Sequence, residues 1–177
     1  TCLLHHLGDD AYLLVIQQAV DVILAEIGES KESFFKEQAE LNVDKHALMY
    51  GRVVKKHARW NLCFDENGHE PDYENGKGRV ISLSAVPITA FMMKKFPELC
   101  GPKAKNLKGE GNYYYDVKKC GVGYHGDEER RKVIAIRLGA SNPIHYQWYL
   151  ESKPIREHMQ FNLDGGDMYI MSEKAVG

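Results

Sequence analysis

The sequence predicts an α+β fold with helices first and a β-rich core after them. Three observations predict it. Apolar residues recur every three or four positions near the start, short segments separated by turn signals follow Lys45, and three β-rich runs occupy the last third at roughly regular spacing. Helices and strands segregated along a chain in this way pack as layers, with the helices outside a β core.

The first expected element is a helix. From Asp9 to Ile27 the residues Leu13, Ile16, Val20, Ile23, Leu24 and Ile27 recur at helical steps, behind an acidic pair and ahead of Gly28, a residue suited to a helix end. Residues 29–42 are charged, with Phe34 and Phe35 among them, and read either as a second, weaker helix or as a mobile connection. Beyond Lys45, Asn67-Gly68, Asn75-Gly76-Lys77-Gly78 and Asp164-Gly165-Gly166 mark turns between short strands. The Pro-started apolar pattern of Val86, Ile88, Phe91, Met92 and Phe96 predicts a short helix ending before Pro97. Val133 to Leu138, Ile144 to Leu150 and Met168 to Met171 predict strands of a sandwich or barrel. Tyr146 and Trp148 share a strand face and fit core filling better than base stacking.

The 177 residues are enough to bury a core without disulfides or a structural metal, and one domain is expected. The apolar share of 44% and charged share of 27% fit a globular chain rather than a disordered one. No run approaches the roughly 18 apolar residues that a membrane-spanning helix needs. The start has no basic region and no small-residue cleavage pattern, so no secretory signal is read there. Cys2, Cys63, Cys100 and Cys120 form no Cys-x-x-Cys pair and no zinc spacing, which points to reduced thiols and an intracellular protein of cytoplasm or nucleus. Charge is uneven. Residues 1–50 hold three basic against nine acidic side chains, whereas 51–119 hold thirteen against eight, so the middle third either meets phosphates or is an ordinary solvated surface.

The chemistry concentrates between Glu110 and Arg130. His125-Gly126-Asp127 on an extended strand would turn the imidazole and the carboxylate to one face, where both could hold one ion. A neutral imidazole with a hard carboxylate suits non-haem Fe(II), whose usual site has two His and one carboxylate and keeps positions open.

Around that tripeptide stand Asn112-x-Tyr114, Gly121 and Gly123, Val133-Ile-Ala-Ile-Arg-Leu-Gly139, His145-Tyr-Gln-Trp148 and Leu163-Asp-Gly-Gly-Asp-Met-Tyr-Ile-Met171. In content and order these pieces resemble the AlkB-like Fe(II)- and 2-oxoglutarate-dependent dioxygenases, over about residues 55–177. The resemblance implies a double-stranded β-helix (jelly roll) core with N-terminal supporting helices: a single dioxygenase domain over 1–177, with a helical extension at 1–50 and the catalytic core at 51–177. It implies Fe(II) on His125 and Asp127, and 2-oxoglutarate on Asn112 and Tyr114, with dioxygen as second cosubstrate. Arg137 lies either on the outer surface or in the barrel mouth, and in the latter place joins the cosubstrate site. Glu129 stands where relatives carry a carboxylate near the substrate base, or belongs to a solvated charge run with Glu128 and Arg130.

The family's third iron ligand, a His, and its cosubstrate arginines are expected on a strand beyond Met171, and Gly177 comes first. The domain is therefore expected to lack its C-terminal strand. Neither His145 nor His158 matches the third ligand. For substrate, the resemblance implies a base of DNA or RNA flipped into the pocket. Lys55 to Asn61, with Arg59, and Tyr73 with Lys77 to Arg79, fall where relatives carry a substrate-covering lid, and equally suit an exposed hairpin. Hydroxylation of a protein or small molecule on the same core, and a non-catalytic jelly roll used for binding or assembly, are the competing readings.

Overall fold

The computed structural model describes residues 11–127 and 129–176. In chain order its elements are β1 (Leu13–Ile16), α1 (Ala19–Leu24), α2 (Lys31–Ala39), β2 (His46–Met49), β3 (Arg52–Lys55), β4 (Trp60–Asp65), β5 (Val80–Ser82), α3 (Pro87–Cys100), β6 (Gly109–Tyr113), β7 (Val133–Ile136), β8 (Asn142–Leu150), β9 (Lys153–Leu163), β10 (Met168–Met171) and α4 (Glu173–Val176). The fold is mixed α+β, mostly small sheets with few helices. Among the described residues no sheet closes into a barrel. The chain forms two compact units, one from residues 1–32 and 123–177, the other from 33–122.

The first unit is built on the antiparallel sheet β1-β10-β7. Here the expected helix from Asp9 to Ile27 is corrected: Leu13 to Ile16 is a strand, and helix begins only at Ala19. The run Leu-Leu-Val-Ile satisfies either period, and pairing with β10 (Leu13↔Met171 to Ile16↔Met168) decides it. Gln18 turns the chain with φ 52, and Gly28 closes the helical stretch with φ 70, as expected of that glycine. The acidic pair Asp9-Asp10 lies outside the described residues. β1 shares a sheet with β7 and β10, and the chain up to Glu32 belongs to this unit.

Asp167, only 2% exposed, organises the same unit. Its Oδ1 accepts from the Gln18 amide N at 2.9 Å and its Oδ2 from that of Asp164 at 2.8 Å, so the buried carboxylate is satisfied by backbone donors. The turn before it needs its glycines: a Cβ on Gly165 would come 2.7 Å from the Gly139 carbonyl oxygen, and Gly166 has φ 101. Strands β8 and β9 form a long hairpin closed by Glu151 and Ser152, both left-handed. Trp148 is buried and meets the Tyr146 ring edge-on at 4.8 Å, as expected of core residues.

The second unit centres on the sheet β5-β4-β6, in which β4 pairs parallel to β5 and antiparallel to β6. Alternation gives β4 two faces. Leu62 and Phe64 join Val86 in a buried cluster with Leu41, Val43, Ile81, Leu83, Met93 and Tyr113 against it. Asn61 and Cys63 take the other face, opposite Asn112 and Glu110 of β6. Residues 29–42 resolve as the helix α2. Its Glu37 carboxylate accepts from the Ile88 N–H at 2.8 Å and from the Thr89 N–H and hydroxyl at 3.0 and 2.7 Å, so it caps α3 where Val86 offers no side-chain cap. The expected end of α3 before Pro97 is also corrected. Pro97 removes one hydrogen bond, but the helix continues to Cys100 and stops at Gly101, with φ 83.

Candidate functional site

The sequence-derived site residues fall in both units. In the first are His125, Asp127, Glu129 and Arg137; in the second are Asn112, Tyr114, Arg59 and Tyr73.

His125 and Asp127 do not lie on a strand, which corrects the expected alternation argument; they sit in irregular chain. Local bonds bring them together. The Asp127 N–H donates to the Val176 carbonyl at 3.1 Å, and His125 Nδ1 lies 2.8 Å from the Gly123 carbonyl. A carbonyl can only accept, so Nδ1 carries the proton and a neutral ring presents its lone pair at Nε2. That Nε2 lies 3.9 Å from Asp127 Oδ1, while the second carboxylate oxygen accepts from Arg130 Nη1 at 3.2 Å. Two donors each about 2.1 Å from one ion stand roughly 3.0 Å apart at the right angle of a facial site, so this pair would have to close to share a cation. The His125 side chain is 54% exposed and that of Asp127 26%, leaving the gap open to solvent. No cluster of three or more His, Cys, Asp or Glu suited to a metal occurs among the described residues. Glu129 is exposed. Arg137 follows the end of β7, half-buried, with its backbone N–H donating to the Asp167 carbonyl at 2.8 Å and its carbonyl accepting from Gly166 at 2.9 Å.

In the second unit, Asn112 and Arg59 are brought together. Asn112 Oδ1 accepts from Arg59 Nε, which fixes the amide and makes its NH₂ the group it presents. Arg59 also lies 3.9 Å from Glu110, and Glu110 accepts from Asn61 at 3.2 Å. Tyr114, just past β6, is half-buried. Tyr73 is turned inward: its hydroxyl donates to Asp44 at 2.7 Å, and burial together with that bond pushes its pKa up to about 12. Asp44 is 2% exposed and accepts from the Arg79 N–H at 2.5 Å as well, so Tyr73 and Arg79 both anchor a buried carboxylate.

A groove of about 710 Å³ lies in this unit. Arg52, Lys55, Lys56, His57 and Arg59 line it, with Tyr50 at its edge. Burial pulls the Lys56 ammonium below the usual lysine pKa, with the Asp44 carboxylate opposing, and its Nζ donates to Asn61 Oδ1. Tyr50 and Gly51, at φ 53 and 75, form the two-residue turn of the β2–β3 hairpin, which leaves the Tyr50 ring 96% exposed. Tyr50 and Arg52 were not singled out from sequence; the Tyr-Gly pair after a short apolar run was the available signal. Behind the groove, Trp60 stacks on Tyr115 with ring centroids 4.1 Å apart, and Lys45 sits 4.5 Å over the Trp60 ring.

No family model matches the chain. It is 44% identical, over 167 residues, to the uncharacterized protein R156 of Acanthamoeba polyphaga mimivirus. That match covers 94% of this chain and 63% of the viral protein, so the chain spans somewhat under two thirds of the relative's length. Among the described residues no helix is long and apolar enough to cross a membrane, and Cys63, Cys100 and Cys120 form no disulfide there.

Proposed function

We propose that this protein is an Fe(II)- and 2-oxoglutarate-dependent dioxygenase of the AlkB-like kind, with a jelly-roll core, that oxidises a nucleic-acid base. The observation that carries the reading is the orientation of His125: with Nδ1 held by the Gly123 carbonyl, Nε2 faces the Asp127 carboxylate across 3.9 Å. This donor set fits two ligands of an Fe(II) site. When bound, the iron supplies the redox chemistry that couples decarboxylation of 2-oxoglutarate, with dioxygen, to oxidation of a substrate C–H bond.

The chain's own residues bind and orient. Asp127 offsets positive charge and would exchange its Arg130 partner for the cation. In the second unit, Arg59 holds the Asn112 amide so that its NH₂ is the group offered to a ligand. Nucleic acid is favoured over peptide by the groove, where Arg52, Lys55 and Arg59 offer cations to phosphates and Tyr50 offers a solvated ring face to a base.

The test is succinate formation by the full-length protein with Fe(II) and 2-oxoglutarate, on methylated oligonucleotides and on peptides. Methylated oligonucleotides should stimulate turnover, and His125→Ala should abolish it. Turnover stimulated by peptides alone would shift the reading to protein hydroxylation. No succinate under any condition would leave a binding protein.

A further inference from the structure

We propose that His145 and His158 form a binding site for a divalent transition-metal cation on the outward face of the β8–β9 hairpin, independent of the site at His125.

Three observations carry it. First, the two imidazoles are neighbours: Nδ1 of His145 lies 3.1 Å from Nε2 of His158, with ring planes within 9° and centroids 5.3 Å apart. One ring must donate to the lone pair of the other, so at least one is neutral. Two nitrogens each about 2.05 Å from an ion, at 90–109°, stand roughly 2.9–3.4 Å apart, a range that includes this spacing. Both rings are exposed, so an ion can reach them.

Second, the strand register makes them neighbours, beside a fixed irregularity in the backbone. The ladder pairs Tyr146 with Met159 and then Trp148 with Ile155, so Gln147 alone stands opposite Arg156, Glu157 and His158. Arg156 adopts φ 61, and the Gln147 amide donates to the carbonyls of Ile155 and Arg156 at 2.9 and 3.3 Å, holding the bulge in place. His145 pairs with Gln160, so His158, two positions along, is its diagonal neighbour on the same face, and the bulge lies directly beside the pair.

Third, the donors suit the ion. Imidazole nitrogen is a good ligand for Zn(II), Cu(II) and Ni(II). No third His, Cys, Asp or Glu joins the pair among the described residues, so water completes the coordination.

The probes are Zn²⁺ and Cu²⁺ added to the His125→Ala protein. Saturable Zn²⁺ binding is expected by calorimetry, weakening as pH falls because protons compete for both nitrogens. Either His145→Ala or His158→Ala should weaken it about a hundredfold, the loss expected when a two-point attachment becomes one. Electron paramagnetic resonance of bound Cu²⁺ should show coupling to two nitrogens, and to one after either substitution. In the unsubstituted protein, Zn²⁺ should protect His145 and His158 together from diethyl pyrocarbonate, mapped by mass spectrometry. Binding unchanged by both substitutions, or both histidines fully reactive at saturating Zn²⁺, overturns the proposal.

Discussion

Nε2 of His125 faces Oδ1 of Asp127 at 3.9 Å, and the ring is held there by a single bond from Nδ1 to the Gly123 carbonyl. The geometry separates folding from function. The His125 side chain is half-exposed and packs no core, so His125→Ala should leave the thermal midpoint within a degree or two, as surface changes do. Fe(II)-dependent succinate formation should fall at least about a hundredfold. Thermal unfolding and turnover measured on one preparation check both halves.

The groove makes a graded prediction about nucleic acid. Arg52→Ala and Lys55→Ala should each weaken single-stranded DNA binding with little regard to sequence and lower the slope of log affinity against log salt by about 0.7. Tyr50→Ala should cost about 1–3 kcal/mol of binding while leaving that slope unchanged, because stacking releases no counterions. Fluorescence anisotropy titrations at several salt concentrations separate the two effects.

Glu37 caps a helix it does not belong to. Its carboxylate takes three donors from Ile88 and Thr89, so Glu37→Ala should destabilise the protein by about 1.5–3 kcal/mol, the range for hydrogen bonds to a charged group. Glu37→Gln keeps one acceptor oxygen and should cost less. Urea unfolding midpoints read the order directly.

Alkaline pH should loosen the fold. Burial raises Tyr73, Tyr113 and Tyr146 from about 10 to about 12. Above pH 10 the unfolded chain loses these protons while the folded chain retains them, so the unfolded state binds fewer protons and stability falls as pH rises. The contribution is intact below pH 10 and lost progressively up to about 12. Urea midpoints across that window, alongside tyrosinate absorbance, should show the fall, and Tyr146→Phe should make it shallower.

Asp44 separates a structural carboxylate from a functional one. It is buried and satisfied by the Tyr73 hydroxyl and the Arg79 N–H, so Asp44→Ala should cost about 3–5 kcal/mol by leaving those groups without their anion. Tyr73→Phe should cost about 1 kcal/mol. Tyr73 was expected to meet substrate because it falls where the resemblance places a substrate-covering lid; with its hydroxyl given to Asp44, only its ring remains to be offered.

The sequence by itself determined the local choices: the glycines at 28 and 166 that accept left-handed backbone, the β-formers of Val133 to Ile136 and Met168 to Met171, the helix started by Pro87, and the pairing of types in His125-Gly126-Asp127. Each depends on a residue and its near neighbours. Tertiary structure decided what near neighbours leave degenerate. Leu13 to Ile16 fits helix and strand alike until the edge of β10 supplies its hydrogen bonds. The inward turn of Tyr73 required Asp44, twenty-nine positions away. The approach of His145 to His158 required the strand register that sets His145 opposite Gln160. Sequence period reports which side chains share a face, but the partner of that face belongs to a distant part of the chain, and only folding supplies it.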